Sequence, residues 1–283
     1  MRTYFLDMER EFAVLENSRY VLLPVGYDGT STFEKGADKG PQAIIDASDS
    51  LELYDPVYDI EAYKTGIYTD DFLYDFSTPE TMVQGVYQRI CHFLELSKIP
   101  GILGGEHSVS IGAIQAMSER YPDLSVLQID AHADLRDEYL GTPFNHACVM
   151  RRAQEYARIV QVGIRNVCVE EKQNIVPENI FYAHQICNHE RWIPEAVNRL
   201  TEHVYLTIDL DGFDPSIVPA TGTPLPGGLS WYLVIAFLEH LCKNRKIVGF
   251  DVVELCPHPH NKISDVLAAT LVYKIIALLN RFK

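Results

Sequence analysis

Positive charge is scarce in this sequence: 24 lysines and arginines stand against 39 aspartates and glutamates, giving a formal net charge of -15. A surface of that balance repels phosphate backbones and anionic lipid, which argues against nucleic acid and a membrane as partners. Small cations, in contrast, are drawn toward it. Paired cysteines are also missing. Cys91, Cys148, Cys168, Cys187, Cys242 and Cys256 are scattered with no CxxC spacing, so neither a zinc ribbon nor a disulfide framework is expected, and a reducing, cytoplasmic setting fits best. No secretory signal is visible, because Asp7, Glu9, Arg10 and Glu11 fall where one would need an unbroken apolar stretch. The longest nearly apolar run, 266–279, contains Lys274 and falls short of the about 20 residues that span a bilayer, so it reads as a core helix. Internal repeats, low-complexity tracts and long linkers are absent too. Length alone leaves one domain or two open, but with nothing to divide the chain, residues 1–283 are expected to form a single domain.

What is present is the material of an ordinary globular protein, with 47% hydrophobic and 22% charged residues. Short β-branched, apolar runs at 20–25, 101–103, 124–129, 159–163, 204–208 and 247–253 predict strands. Segments with helical spacing alternate with them at 79–96, 108–121, 190–200, 230–242 and 264–279. Strand and helix in alternation imply right-handed crossovers, hence an α/β fold with a mainly parallel sheet covered on both faces. In such sheets ligands bind beyond the carboxyl ends of the strands.

Three of those strand ends carry acids and histidines. After 124–129 come Asp130, His132 and Asp134, alternating with alanines, which in an extended backbone places all three side chains on one face. After 204–208 come Asp209, Asp211 and then Asp214, and after 101–103 a pair of glycines leads to Glu106 and His107. Carboxylates and imidazoles gathered this closely would be poorly solvated unless a cation balanced them. Any one of them alone is more often a turn former, a helix cap or a satisfied core group, and Asp214 before Pro215 reads that way. Together, His107, Asp130, His132, Asp134, Asp209 and Asp211 exceed what one ion needs and suit two ions with shared carboxylates. The donors are oxygen and imidazole nitrogen with no thiolate, which favours manganese or another hard to borderline ion, nickel, cobalt and iron staying open. Two such ions, about 3.5–4 Å apart, can hold water as hydroxide at neutral pH, a nucleophile.

The motifs GGEH (104–107), DAHAD (130–134) and TIDLDGFDP (207–215), in this order, resemble the ureohydrolase family of arginases and agmatinases. The resemblance runs on through TPFNHACVMRR (142–152), ATGTPLPGGLS (220–230) and GFDVVEL (249–255). It implies the arginase fold, a three-layer α/β/α sandwich, with two Mn2+ ions at the strand ends and assembly into trimers or hexamers. It also implies that His107, Asp134 and the shared Asp130 and Asp209 hold one ion, while His132 and Asp211 complete the other. His146 matches the family histidine near the substrate, where an imidazole can shuttle a proton to a leaving amine. Glu254 matches the glutamate that pairs with the guanidinium, an arrangement that allows two parallel hydrogen bonds. Asp251, on the same strand, reads as an acceptor behind a ligand histidine.

The activity this implies is hydrolysis of a carbon-nitrogen bond in a small cationic guanidino compound, releasing urea. The stretch 135–145, LRDEYLGTPFN, lacks the serine and threonine cluster with which arginases bind an amino acid head group, and looks more like agmatinases. Agmatine is therefore the expected substrate, with Asp137 and Glu138 as candidate partners of its distal ammonium, equally readable as a solvated acidic turn. Guanidinobutyrate, arginine and formiminoglutamate are the alternatives within the family. A dinuclear phosphoesterase would need cationic groups beside the ligands, where only Arg136 is found. A non-catalytic binding relative would be expected to have lost ligands, yet all six positions are filled. Finally, 214–229 holds four prolines and three glycines, too many breakers for helix or strand, and is expected to be a long loop walling the cleft.

Overall fold

Strand interiors are apolar on both faces: β1 (Tyr20–Val25) and β4 (Leu124–Ile129) are buried at every position, as a parallel sheet covered by helices requires. The structure, a computed structural model, describes residues 4–74 and 76–282. After β1 the chain forms α1 (Gly40–Ser48), β2 (Ile67–Thr69), α2 (Pro79–Glu95), β3 (Ile99–Gly104) and α3 (Ser110–Arg120), then β4. There follow α4 (Val149–Ala153), β5 (Arg158–Ile164), β6 (Ile180–Tyr182), α5 (Ala183–Ile186), α6 (Ile193–Asn198) and β7 (His203–Asp209). The order closes with α7 (Trp231–Asn244), β8 (Lys246–Val253) and α8 (Ile263–Arg281).

The strands form one eight-stranded sheet in the order β2-β1-β3-β8-β7-β4-β5-β6, and every pairing is parallel. One apolar cluster packs α1, α6, α7 and α8 against one face, and a second packs α2, α3 and α4 against the other. This is an arginase-like three-layer fold. All six expected strands are present. The missed β2 and β6 are three-residue edge strands, too short for a periodic signal, and α1 is a nine-residue helix whose start signal, Pro41 in its first turn, lies outside the apolar spacing.

Two expectations about helices change. The segment 190–200 supplies only the six-residue α6, because Pro194 lies in its first turn. The apolar run at 266–279 belongs to a longer helix. With 19 residues, α8 is long and apolar enough to cross a membrane, yet two thirds of it is buried, and it packs against α1 and α7 as part of the core. The β3, β8, β7 and β4 carboxyl ends lie side by side at the centre of the sheet. That is where the expected ligands emerge.

Candidate metal centre

Buried polar residues on these central strands prepare the site. On β8, Asp251 is fully buried and accepts hydrogen bonds from Tyr205 Oη (2.8 Å) and Thr207 Oγ1 (2.6 Å) of β7. Since the Thr207 proton goes to Asp251, the 2.8 Å contact between Thr207 Oγ1 and His107 Nε2 has the imidazole N–H as donor. The His107 Nδ1 lone pair therefore faces the site, where Asp130 Oδ2 (3.1 Å), Asp134 Oδ2 (3.1 Å) and Asp209 Oδ2 (3.4 Å) surround it. Nδ1 is buried and has no hydrogen-bond partner among the described residues. A bare lone pair aimed at three anionic oxygens is repulsive, and a cation among them turns each contact favourable. Asp251 thus stands behind His107, the candidate ligand, with the Thr207 hydroxyl between them.

His132 forms a second focus. Its Nδ1 lies 3.0 Å from Asp211 Oδ2 and 3.6 Å from Asp130 Oδ1. Asp130 consequently turns one oxygen to each histidine, the arrangement that a shared carboxylate needs. The potential donor atoms of His107, Asp130 and Asp134 fall within 4.8 Å of one another, as do those of Asp130, His132 and Asp211. Asp209 joins the first focus through His107. Its Oδ1 is occupied by the Asp211 backbone N–H at 2.8 Å. Other backbone donors fix Asp130 and Asp211: His132 N to Asp130 Oδ1 (2.6 Å) and Ala131 N to Asp211 Oδ1 (3.1 Å).

The local backbone differs from the extended run expected of DAHAD. Strand β4 ends at Ile129, and Asp134 has a φ of 53°, in the left-handed region. Likewise, Leu210–Gly212 is a 3-10 turn capped by the Asp209 side chain, with Gly212 so close to β4 that a Cβ would lie 2.9 Å from Asp130 N. The expected side chains meet, but through turns. Glu254 follows the last residue of β8 with a φ of 64°, in the same left-handed region.

The four aspartates carry four negative charges if ionised, and two divalent cations neutralise them while both histidines stay neutral. Burying unmatched carboxylates costs several kcal/mol each. On the protein's own charges, burial pushes Asp134 up to about 7, and it raises Asp209 well above the carboxylate range. Burial works against a charge on His132, but Asp211 and Asp130 outweigh it and push the imidazole up to about 12. Protons thus take the cations' place in the bare cluster, and metal binding displaces them. The donor set fits a pair of divalent ions.

His146 and Glu254 line the same cleft, together with His107, His132, Asp134, Asp209 and Asp211. Glu254 Oε1 accepts from His107 N at 2.7 Å, which leaves Oε2 to face the cleft. Loss of solvent and the neighbouring Glu106 raise its pKa, a setting that a guanidinium would relieve. Burial, then the nearby His132 and His107, lower His146 to about 4, so its imidazole is neutral near pH 7.

Asp137 and Glu138 are not part of the cleft. Asp137 is more than half exposed and is paired with Arg151 at 2.7 Å, so the solvated reading of that turn holds. The further acids at the cleft wall, beyond Glu254 and the candidate ligands, are Glu34 and the buried Glu171, which accepts from Leu135 N (2.8 Å) and Cys168 N (2.7 Å). Arg136 also lines it, with its guanidinium stacked 4.5 Å over the Tyr139 ring. The loop at 214–229 contributes Gly222 and Thr223 to the wall, and Thr223 Oγ1 donates to Asp211 Oδ2 at 3.1 Å. Asp214 serves as a turn former, accepting from Ser216, Gly227 and Gly228 backbone N–H groups. Sequence reasoning passed over Gln128, which donates to Asp130 Oδ2 at 2.7 Å, as well as Thr207 and Thr223. The available signal was a polar residue inside an otherwise apolar strand, at Gln128, Gln161 and Thr207.

A parallel α/β sheet whose central strand ends gather histidines and aspartates around two foci defines a candidate dinuclear metal protein of the arginase-like fold. The model of the Arginase family matches residues 18–277, and the chain belongs to that family, whose members depend on paired metal ions. It is 38% identical to N(1)-aminopropylagmatine ureohydrolase of Synechocystis sp. over 90% of this chain and 87% of the relative. It is 33% identical to the agmatinase of Pyrococcus horikoshii, over 96% of each. The structure of the agmatine ureohydrolase of Thermoplasma volcanium superposes with a TM-score of 0.86 at 32% identity, covering 94% of this chain and 92% of that one. These relatives are hydrolases acting on amidino carbon-nitrogen bonds.

Proposed function

We propose that this chain hydrolyses the guanidinium of a small cationic guanidinoalkylamine, agmatine first, to urea and an amine, with two manganese ions held by His107, Asp130, His132, Asp134, Asp209 and Asp211. The observation that carries the reading is the division of Asp130 between two histidine foci, one oxygen 3.1 Å from His107 and the other 3.6 Å from His132. When bound, paired divalent ions supply the Lewis acidity that lets water attack near neutral pH. The protein's own groups do the rest. Glu254 holds the guanidinium by charge-assisted hydrogen bonds and leaves its carbon electrophilic. Water adds its oxygen to that carbon, the bond to the alkyl nitrogen breaks, and both protons of the water end on the departing nitrogen: one leaves the urea oxygen after cleavage, and the other must arrive as the bond breaks. His146, neutral and beside the cleft, accepts and returns that proton. The products are urea and an ammonium, so charge and atoms balance.

A longer substrate, N(1)-aminopropylagmatine, is the second reading, favoured by the 38% identical relative that bears that name. Urea release with added manganese distinguishes these: agmatine and N(1)-aminopropylagmatine are assayed beside arginine, guanidinobutyrate and formiminoglutamate. A higher kcat/KM for agmatine than for every other compound supports the first reading, preference for the longer amine supports the second, and silence on all five refutes both.

A further inference from the structure

His146 takes its orientation from the loop after β1. Thr30 is buried there, and its Oγ1 lies 2.8 and 2.7 Å from the two carboxylate oxygens of Glu106, which is itself fully buried. Glu106 also accepts from Thr30 N (3.0 Å) and Ser108 Oγ (2.5 Å), with Ser31 Oγ at 3.4 Å. Each of these groups is a donor to the carboxylate. A hydroxyl has a single proton and two lone pairs, and here the proton is committed to Glu106. The lone pairs face His146, whose backbone N–H lies 3.0 Å and whose Nδ1 lies 3.2 Å from Thr30 Oγ1. With the hydroxyl proton spent elsewhere, the Nδ1 contact closes only if Nδ1 carries hydrogen.

We propose that Thr30, anchored on Glu106, is a positioning residue that holds His146 in the tautomer with hydrogen on Nδ1 and an open lone pair on Nε2. A neutral imidazole has one donor and one acceptor nitrogen, and the partner of one decides the role of the other. The Thr30 hydroxyl thus leaves Nε2 as the nitrogen that receives a proton and gives it back. Glu106 is buried behind the cleft and does not line it. It fixes the direction in which the hydroxyl points. The Glu106 of GGEH thereby acquires a task separate from that of His107, its neighbour. The inference rests on the shuttle role of His146 under the proposed function, while the tautomer itself is independent of turnover.

Two measurements test it. The first compares Thr30→Val, Thr30→Ser and His146→Ala by urea release from the preferred substrate, with manganese content alongside. Thr30→Val is expected to lower kcat at least tenfold with KM and metal content unchanged, Thr30→Ser to stay within about threefold of the parent, and Thr30→Val to add nothing to His146→Ala. Independent, multiplying effects of Thr30→Val and His146→Ala, or a serine variant as slow as the valine one, would overturn it. The second is imidazole nitrogen NMR on the zinc-loaded, diamagnetic protein, with the His146 signal assigned from His146→Ala. Hydrogen on Nδ1 in the parent and its loss in Thr30→Val support the proposal even where no substrate is turned over. Hydrogen on Nε2 in the parent refutes it even if the protein hydrolyses agmatine.

Discussion

Single residues carry distinct parts of the proposed chemistry, and substitution separates them. Asp130 faces both histidine foci, so Asp130→Asn, which keeps shape but removes charge, is expected to lose bound manganese and urea release together. His146 lines the cleft without entering either cluster of potential donor atoms. Accordingly, His146→Ala should retain metal and slow turnover by about 10²–10⁴-fold. Elemental analysis beside kinetics decides, and equal metal loss in both variants would contradict the division of roles. Glu254 adds a backbone test, because its φ of 64° is one that β-carbon-bearing residues resist. Glu254→Gly should therefore melt higher than Glu254→Ala, by about 1 kcal/mol in unfolding free energy, with both inactive. Most of the site is legible in the amino-acid sequence. All eight expected site residues line or border one volume, since acids and histidines at strand ends have few other reasons to cluster. Thr30 is not legible there, because a lone loop threonine looks alike whether its hydroxyl faces solvent or aligns an imidazole. Asp137 and Glu138 mislead for a related reason: sequence proximity to DAHAD gives no account of Arg151, which reaches back to Asp137.

At the scale of elements, the site depends on how closely turns can press against neighbouring strands. Gly105 N donates to Val25 O (2.8 Å) and Glu106 N to Tyr27 O (2.9 Å), fastening the turn after β3 to the end of β1. A Cβ on Gly105 would overlap Tyr27 O and lie 2.9 Å from Tyr27 N, both backbone atoms that cannot move aside. Gly105→Ala is expected to lower stability by about 1–3 kcal/mol and to weaken activity more than Gly141→Ala, whose Cβ meets open space and whose cost is only the backbone strain of its φ of 83°. Thermal unfolding beside urea release reports both effects, and an unshifted melting temperature for Gly105→Ala would refute the close-packing argument. The main strands are predictable because burial on both faces writes an unbroken apolar run. Edge strands β2 and β6 have only three residues in which to do so.

For the molecule as a whole, the net charge of -15 is opposite in sign to the cationic substrate proposed for it. Long-range attraction of that kind is screened by salt, with a Debye length of about 10 Å at 0.1 M and 3 Å at 1 M. KM for a dicationic guanidinoalkylamine should rise at least about twofold between low and high salt while kcat stays nearly level. A salt-independent KM would mean that recognition is confined to contacts inside the cleft. The order of the sheet has a consequence for synthesis. Strand β8, made near the end of the chain, is a wedge between β3 and β7, and it carries Asp251 and leads directly into Glu254. A ribosome that has delivered the first seven strands has therefore made every candidate ligand but no catalyst, since the halves that bear His107 and Asp209 are joined only when the keystone arrives.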